Sequence, residues 1–205
     1  YVQYLALLCR IALDPSLTIY LEYSNEVWNG IFDQNSYAQS QGMALGLHPQ
    51  PWHAGWLFYS QRSVEVFNLF SSIYNQLESR RLVRVLAGQS VNPWVNRQIM
   101  DWQNAYESAD AFAVAPYFGG YIGNLNNVPT APTFSVPYLL SLCQIDLVNN
   151  HQVFTRQNRV DTTQRGLKLL AYEGGQHLVG VGAAQNNQTL TNLFVTANRD
   201  FGMRQ

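Results

Sequence analysis

The sequence predicts an α/β fold built on parallel strands, and three observations lead there. Short runs rich in β-branched and aromatic residues alternate with longer stretches of helical apolar spacing. No two-residue hairpin signal joins any pair of strands. Residues of chemical interest recur just after strand ends, at Glu26, Gln89, Tyr117 and Glu173. Parallel strands need long crossovers, commonly helices, so strand-helix alternation without hairpins argues for a parallel sheet.

Tyr4, Leu5, Leu8, Ile11 and Ala12 recur at helical spacing and make the opening helix. Tyr1 leads straight into this pattern with neither an initiator Met nor a signal peptide, which reads as a fragment of something longer. Asp14-Pro15-Ser16 breaks the helix, and a first strand follows over about 18–24, running toward Glu26. A short helical piece lies within 31–50. Pro49 and Pro51 punctuate it before a long amphipathic stretch over about 53–79, where Leu57, Val64, Phe67, Phe70, Ile73, Tyr74 and Leu77 share one face. A second strand, 82–87, ends at Gly88-Gln89-Ser90, and Pro93 suits the first turn of a helix running through Val95, Ile99, Trp102 and Tyr106. The third strand, 111–115, ends at Pro116-Tyr117 and gives way to a loop rich in Gly, Asn and Pro. A helix over about 136–150 continues brokenly to 165. The last strand is 167–172, and a final helix begins near Thr189.

Composition narrows the function. With 205 residues and 47% hydrophobic content, the chain reads as one domain with a substantial core. Its 12 Lys+Arg against 13 Asp+Glu give a formal charge of -1, which offers no footprint for nucleic acid and no polybasic patch for a membrane. No apolar run approaches the roughly 18 residues a spanning helix needs. Cys9 and Cys143 lack any CxxC or Cys/His spacing and read as buried free thiols, and no histidine pair has metal-ligand spacing. Low charge, many Asn and Gln and 13% aromatics fit an extracellular or periplasmic carbohydrate-handling protein. Asn187-Gln188-Thr189 matches a glycosylation sequon.

Two carboxylates carry the chemistry. The run from Thr18 delivers Asn25-Glu26 with Trp28 two residues on, and the run from Leu167 delivers Tyr172-Glu173-Gly174. Paired strand-end carboxylates suit glycoside hydrolysis, one protonating the leaving oxygen and the other attacking or activating water. In a (β/α)8 barrel the C-terminal strand ends form the active face. A doubly wound sheet also gathers ligands at its strand ends, but no glycine-rich phosphate loop follows any strand here.

These residues resemble the clan A retaining glycoside hydrolases, in which an Asn-Glu pair ends the fourth strand of a (β/α)8 barrel and a second Glu ends the seventh. Asn25-Glu26 and Glu173 fit that order, with two strand-helix units between them. The resemblance covers about half of a barrel, from the third helix to the helix after the seventh strand, making residues 1–205 a single partial catalytic domain truncated at both ends. It implies a retaining double displacement on a β-linked polysaccharide or oligosaccharide. Glu26 would be the acid/base, held protonated by its partner's charge and partial burial, and Glu173 the ionised nucleophile, their carboxyls about 5–5.5 Å apart. Asn25 would bind the neighbouring hydroxyl, and Tyr117 stands where the clan places a tyrosine that hydrogen-bonds the nucleophile. The resemblance implies no metal or other cofactor, and a monomer when full-length. Val27 departs from the clan, several of whose families have Pro there, and no clear counterpart of its sixth-strand His is present.

Other residues weigh less. Trp28, Tyr117 and Tyr121 offer ring faces to sugars, while Trp52 and Trp94 suit either sugar stacking or packing at the rim. Trp56 and Trp102 read as core. Gln89, Gln176 and His177 could reach hydroxyls, whereas His48, His53 and His151 read as loop or helix-surface residues. Glu22 shares the strand parity of Glu26 and should point into the sheet's inner face, needing a cation such as Arg84. The competing function is a carbohydrate-binding barrel that has lost turnover.

Overall fold

The structure, a computed structural model, describes residues 1–75 and 77–204. Its main elements run α1 (Val2–Ala12), β1 (Ile19–Leu21), α2 (Asp33–Ala44), α3 (Pro51–Ile73), β2 (Leu82–Ala87), α4 (Pro93–Asp101), β3 (Ala111–Val114), β4 (Tyr117–Phe118), α5 (Val136–Asp146), α6 (Gln152–Gln164), β5 (Lys168–Ala171), β6 (Gly175–Gln176) and α7 (Gln188–Arg199). The chain forms two compact units, Tyr1–Val114 with Gln157–Tyr172, and Ala115–Arg156 with the residues from Glu173 onward.

The first unit holds a four-stranded sheet in the order β1-β2-β3-β5, every pair parallel. Spatial order follows chain order, as it does when each helical crossover winds the chain on to the next position. The register Ile19↔Leu82, Val85↔Ala111 and Ala111↔Lys168 sorts the side chains by face. Leu21, Leu82, Leu86, Phe112 and Val114 point one way and join Tyr59, Phe67, Phe70, Val95 and Ile99 from the helices in the main core. Val85, Ala87, Ala111 and Ala113 point the other way, packed with Trp28, Leu170 and Tyr172. The sheet is therefore covered by helices on its large-residue face and lined by small residues opposite. The fold is α/β with parallel strands, as the alternation predicts.

The second unit carries the short parallel pair β4-β6, Tyr117↔Gly175 and Phe118↔Gln176, over a core of Ile122, Leu139, Cys143, Leu178, Leu190, Phe194 and Ala197. Ladders of two residues are too short to leave a period in sequence, and no strand is expected there from pattern.

Several boundaries differ from expectation for local reasons. The first strand is three residues, not seven, because its ladder with β2 ends at Leu21↔Arg84. The amphipathic stretch starts earlier, with Pro51 in the first turn, and ends at Ile73, where Tyr74 turns extended. Tyr74 still buries its ring and donates to the Ala6 carbonyl at 3.4 Å; Gln76, inside that expected stretch, lies outside the described residues. α4 stops at Asp101 rather than running through Trp102 and Tyr106, since Gln103 and Asn104 adopt left-handed backbone. The broken helix over 136–165 is as expected, with a π-helical turn at Leu147–His151 between α5 and α6.

Candidate active site

Glu26 lies five residues beyond β1, in a loop pinned from both sides. Gln34 donates to the Asn25 carbonyl at 2.9 Å and Asn35 to the Val27 carbonyl at 2.8 Å, both from α2. Val27 is buried in the main core. Between these anchors Glu26 takes φ 45°, a left-handed conformation that costs a non-glycine residue of order 1–3 kcal/mol and persists only where the surroundings fix it. The Asn29 N–H closes the turn onto the Glu26 carbonyl at 2.8 Å. The carboxylate is held at both oxygens: Asn29 Nδ2 donates to Oε2 at 2.7 Å and the Tyr172 hydroxyl to Oε1 at 3.3 Å.

Tyr172 leaves the end of β5 on the small-residue face. With Tyr20, Glu22, Val85, Ala113, Leu170 and Ala171 it lines a cleft of about 450 Å³. Glu22 thus lies on the small-residue face with Tyr172. The expected pairing with Arg84 is not what holds it. Arg84 sits on the opposite face, where its guanidinium grips Asp110 in a bidentate bridge at 2.8 Å. Behind the cleft Tyr59 is fully buried, its oxygen accepting from the Ala87 N–H at 2.9 Å. Burial, followed by the charge of Glu22, pushes its hydroxyl well above the usual tyrosine range, so Tyr59 stays neutral. Trp28 meets the Tyr59 ring edge-on at 6.1 Å, half-buried and packed against both faces' clusters. Gln89 follows β2, and its carbonyl accepts from Asn96 at 2.7 Å.

In the second unit Glu173 is exposed at a bend just before Gly174-Gly175. Gly175 has φ 125° and so needs glycine's freedom, and a Cβ on Gly174 would meet Pro116 at 3.2 Å. Tyr117 and His177 come together through the β4-β6 pair, rings 5.2 Å apart. Tyr121 is 41% exposed, and burial of the rest, with Asp146 nearby, raises its hydroxyl. The Gln176 side chain accepts from the Leu178 N–H and so caps its own loop. His151 is not a surface residue: it is largely buried, 3.4 Å from Asp146.

The candidates therefore fall into two groups. Asn25, Glu26, Trp28 and Gln89 belong to the first unit, and Tyr117, Tyr121, Glu173 and His177 to the second. Sequence reasoning missed Asn29, Tyr59 and Tyr172 as partners of the site. Asn29 carried a usable signal, its i+3 spacing from Glu26; Tyr172 is 146 residues away and carried none. Trp52 and Trp94, each 43% exposed, pack with His48, His53 and Trp56 in one aromatic cluster. Among the described residues, no group of three or more His, Cys, Asp or Glu side chains is placed to hold a metal ion, and no helix is long and apolar enough to cross a membrane. No protein-family model matches the chain, and no curated protein or solved structure matches it.

Proposed function

We propose that the chain is part of a (β/α)8-barrel glycoside hydrolase that cleaves β-linked polysaccharide or oligosaccharide with retention. The observation that supports this best is the setting of Glu26. A strained backbone and two hydrogen bonds hold one carboxylate in the loop five residues beyond a parallel strand, its Tyr172 partner lining a cleft with Tyr20. Surface carboxylates in ordinary loops do not need such support, and strain of this kind clusters at functional sites. The sheet order lends further support. Glu26 follows the first strand of β1-β2-β3-β5 and Glu173 follows the fourth, the interval between strands four and seven of a barrel.

In this reading protonated Glu26 gives its proton to the glycosidic oxygen while the C–O bond breaks and its electron pair stays on the leaving group. The Glu173 carboxylate forms the new bond to the anomeric carbon. Water then attacks that carbon, Glu26 takes the water's proton, and Glu173 is released as carboxylate. Asn25, Trp28, Gln89, Tyr117, Tyr121 and His177 supply sugar contacts, and the β-linkage comes from the family resemblance.

The test is turnover on a panel of β-glucan, xylan, mannan and their aryl glycosides. Wild type should cleave at least one of them, and Glu173→Ala should abolish turnover while leaving glycan affinity within a few-fold. Glycan binding that Trp28→Ala weakens, with no cleavage by wild type, would replace this reading with a non-catalytic carbohydrate-binding barrel.

A further inference from the structure

The two oxygens of Glu26 meet partners of unequal chemistry. The Asn29 amide has its orientation fixed: Oδ1 accepts from the Ile31 N–H at 3.2 Å while Nδ2 donates to Glu26 Oε2 at 2.7 Å. Turned over, it would set its NH₂ against an N–H donor and its carbonyl against a carboxylate oxygen, replacing two attractions with two repulsions. Oε2 is thereby committed as an acceptor whatever the protonation state of the group. A tyrosine hydroxyl has no such commitment, because it both donates and accepts and rotates to suit. Tyr172 stands at 3.3 Å from Oε1, longer than the ~2.7–2.8 Å usual for O–H···O. Oε1 is therefore the more loosely held oxygen, as befits one that exchanges partners during a reaction.

We infer that Oε1 is the oxygen of Glu26 that carries the transferable proton, and that Tyr172 is the positioning residue that orients it. This rests on the reading of Glu26 as acid/base. When Glu26 is ionised, Tyr172 donates to Oε1. When Glu26 is protonated, the Tyr172 oxygen accepts from the Oε1 hydroxyl until the glycosidic oxygen of a substrate takes that proton. Asn29 holds Oε2 through both states, and its own N–H closes the strained turn that aims the carboxyl.

Two measurements test this together. The first compares wild type and Tyr172→Phe on matched phenyl and 2,4-dinitrophenyl β-glycosides of cellobiose, xylobiose and mannobiose. An activated leaving group needs little protonation, so kcat/KM on the phenyl glycoside should fall about tenfold more than on the dinitrophenyl one, a part of the 10²–10⁴ that general acid catalysis supplies. Equal losses on both substrates would reduce Tyr172 to a packing role and overturn the inference. The second uses protein carrying ¹³Cζ-tyrosine, with the Tyr172 signal assigned by its loss in Tyr172→Phe. Glu26→Gln should shift that signal, and an unmoved signal would show that the two side chains do not meet. Wild type inert on every glycoside, with the Tyr172 signal still shifting, removes the hydrolase reading and the proton-donor role built on it. Wild type active with an unmoved signal removes this inference alone.

Discussion

The side-chain amides of Asn96 on α4 and Asn158 on α6 hydrogen-bond each other at 2.9 Å, each only 1% exposed. Each also donates to a backbone carbonyl of the loop after β2, Asn96 to Gln89 at 2.7 Å and Asn158 to Ser90 at 2.8 Å. Two helices thus fasten one strand-end loop from beneath. A buried carbonyl or amide left without a partner costs about 1–3 kcal/mol. Asn158→Ala strands the Ser90 carbonyl and one amide N–H of Asn96, and should lower stability by about 2–4 kcal/mol in urea unfolding. A loss under about 0.5 kcal/mol would show that the amides are not paired in solution.

Arg84 and Asp110 make the stability of the first unit depend on acid. The Asp110 carboxylate accepts from the Arg84 backbone N–H and from Nε and Nη2 on one edge of its guanidinium. Burial pushes the Asp110 carboxyl up, but the hydrogen bonds and charge of Arg84 outweigh it and leave the group below the usual carboxylate range. A depressed value in the folded state means that the stabilisation is complete above the unfolded value of about 3.9 and is lost as pH falls through the folded one. The stability difference between wild type and Asp110→Asn should hold steady from pH 7 to about 5 and shrink below about 4. With Arg84 28% and Asp110 38% exposed, solvent screening keeps the ion pair's share at about 1 kcal/mol or less. Thermal unfolding across pH 3–7 measures it, and a difference that grows toward low pH would contradict the pairing.

Gly42 sets how closely α2 approaches α3. A Cβ placed there would lie 2.2 Å from the Ala54 carbonyl oxygen. The obstacle is helix backbone, which cannot rotate aside as a side chain would. Gly42→Ala should therefore destabilise by about 1–3 kcal/mol despite the better helix propensity of alanine. Gly46, whose added Cβ would meet nothing within 4 Å but which has φ 67°, tests conformation alone: Gly46→Ala should cost about 1 kcal/mol through its left-handed backbone. Denaturant midpoints separate the two, and a stabilised Gly42→Ala would refute the close crossing.

The sheet was legible where a largely apolar run is bounded by turn residues. Leu82–Ala87, mostly buried, and Lys168–Ala171, exposed at both ends, became strands at nearly the expected limits. Parity sets Glu22 on the face opposite Leu21, and its supposed partner Arg84 faces the other way and reaches Asp110 instead. The carboxylates could be found as residues that follow strands, yet nothing local told that Glu26 would lie five residues past β1 in left-handed backbone. That conformation is imposed by Asn29, Gln34 and Asn35 acting together. Tyr172 was in view as the neighbour of Glu173, and its contact with Glu26 needed the β1-β2-β3-β5 order to be known.

If Glu26 is the acid/base and Glu173 the nucleophile, small anions should distinguish their roles. Glu26→Ala removes the base that activates water in the second step, so the glycosyl-enzyme on Glu173 should accumulate with a 2,4-dinitrophenyl β-glycoside, whose first step needs little acid. Azide needs no base. It should restore turnover of the Glu26→Ala variant by a factor of about 10²–10⁴, the contribution general base catalysis makes, and the product should be the β-glycosyl azide, since two inversions retain configuration. Glu173→Ala has no covalent intermediate to intercept, and azide attacking directly should yield the α-azide instead. Proton NMR of the azide products reads the anomeric configuration in one experiment. A β-azide from Glu173→Ala and an α-azide from Glu26→Ala would exchange the two roles, and no rescue of either variant from an active wild type would remove the two-carboxylate mechanism.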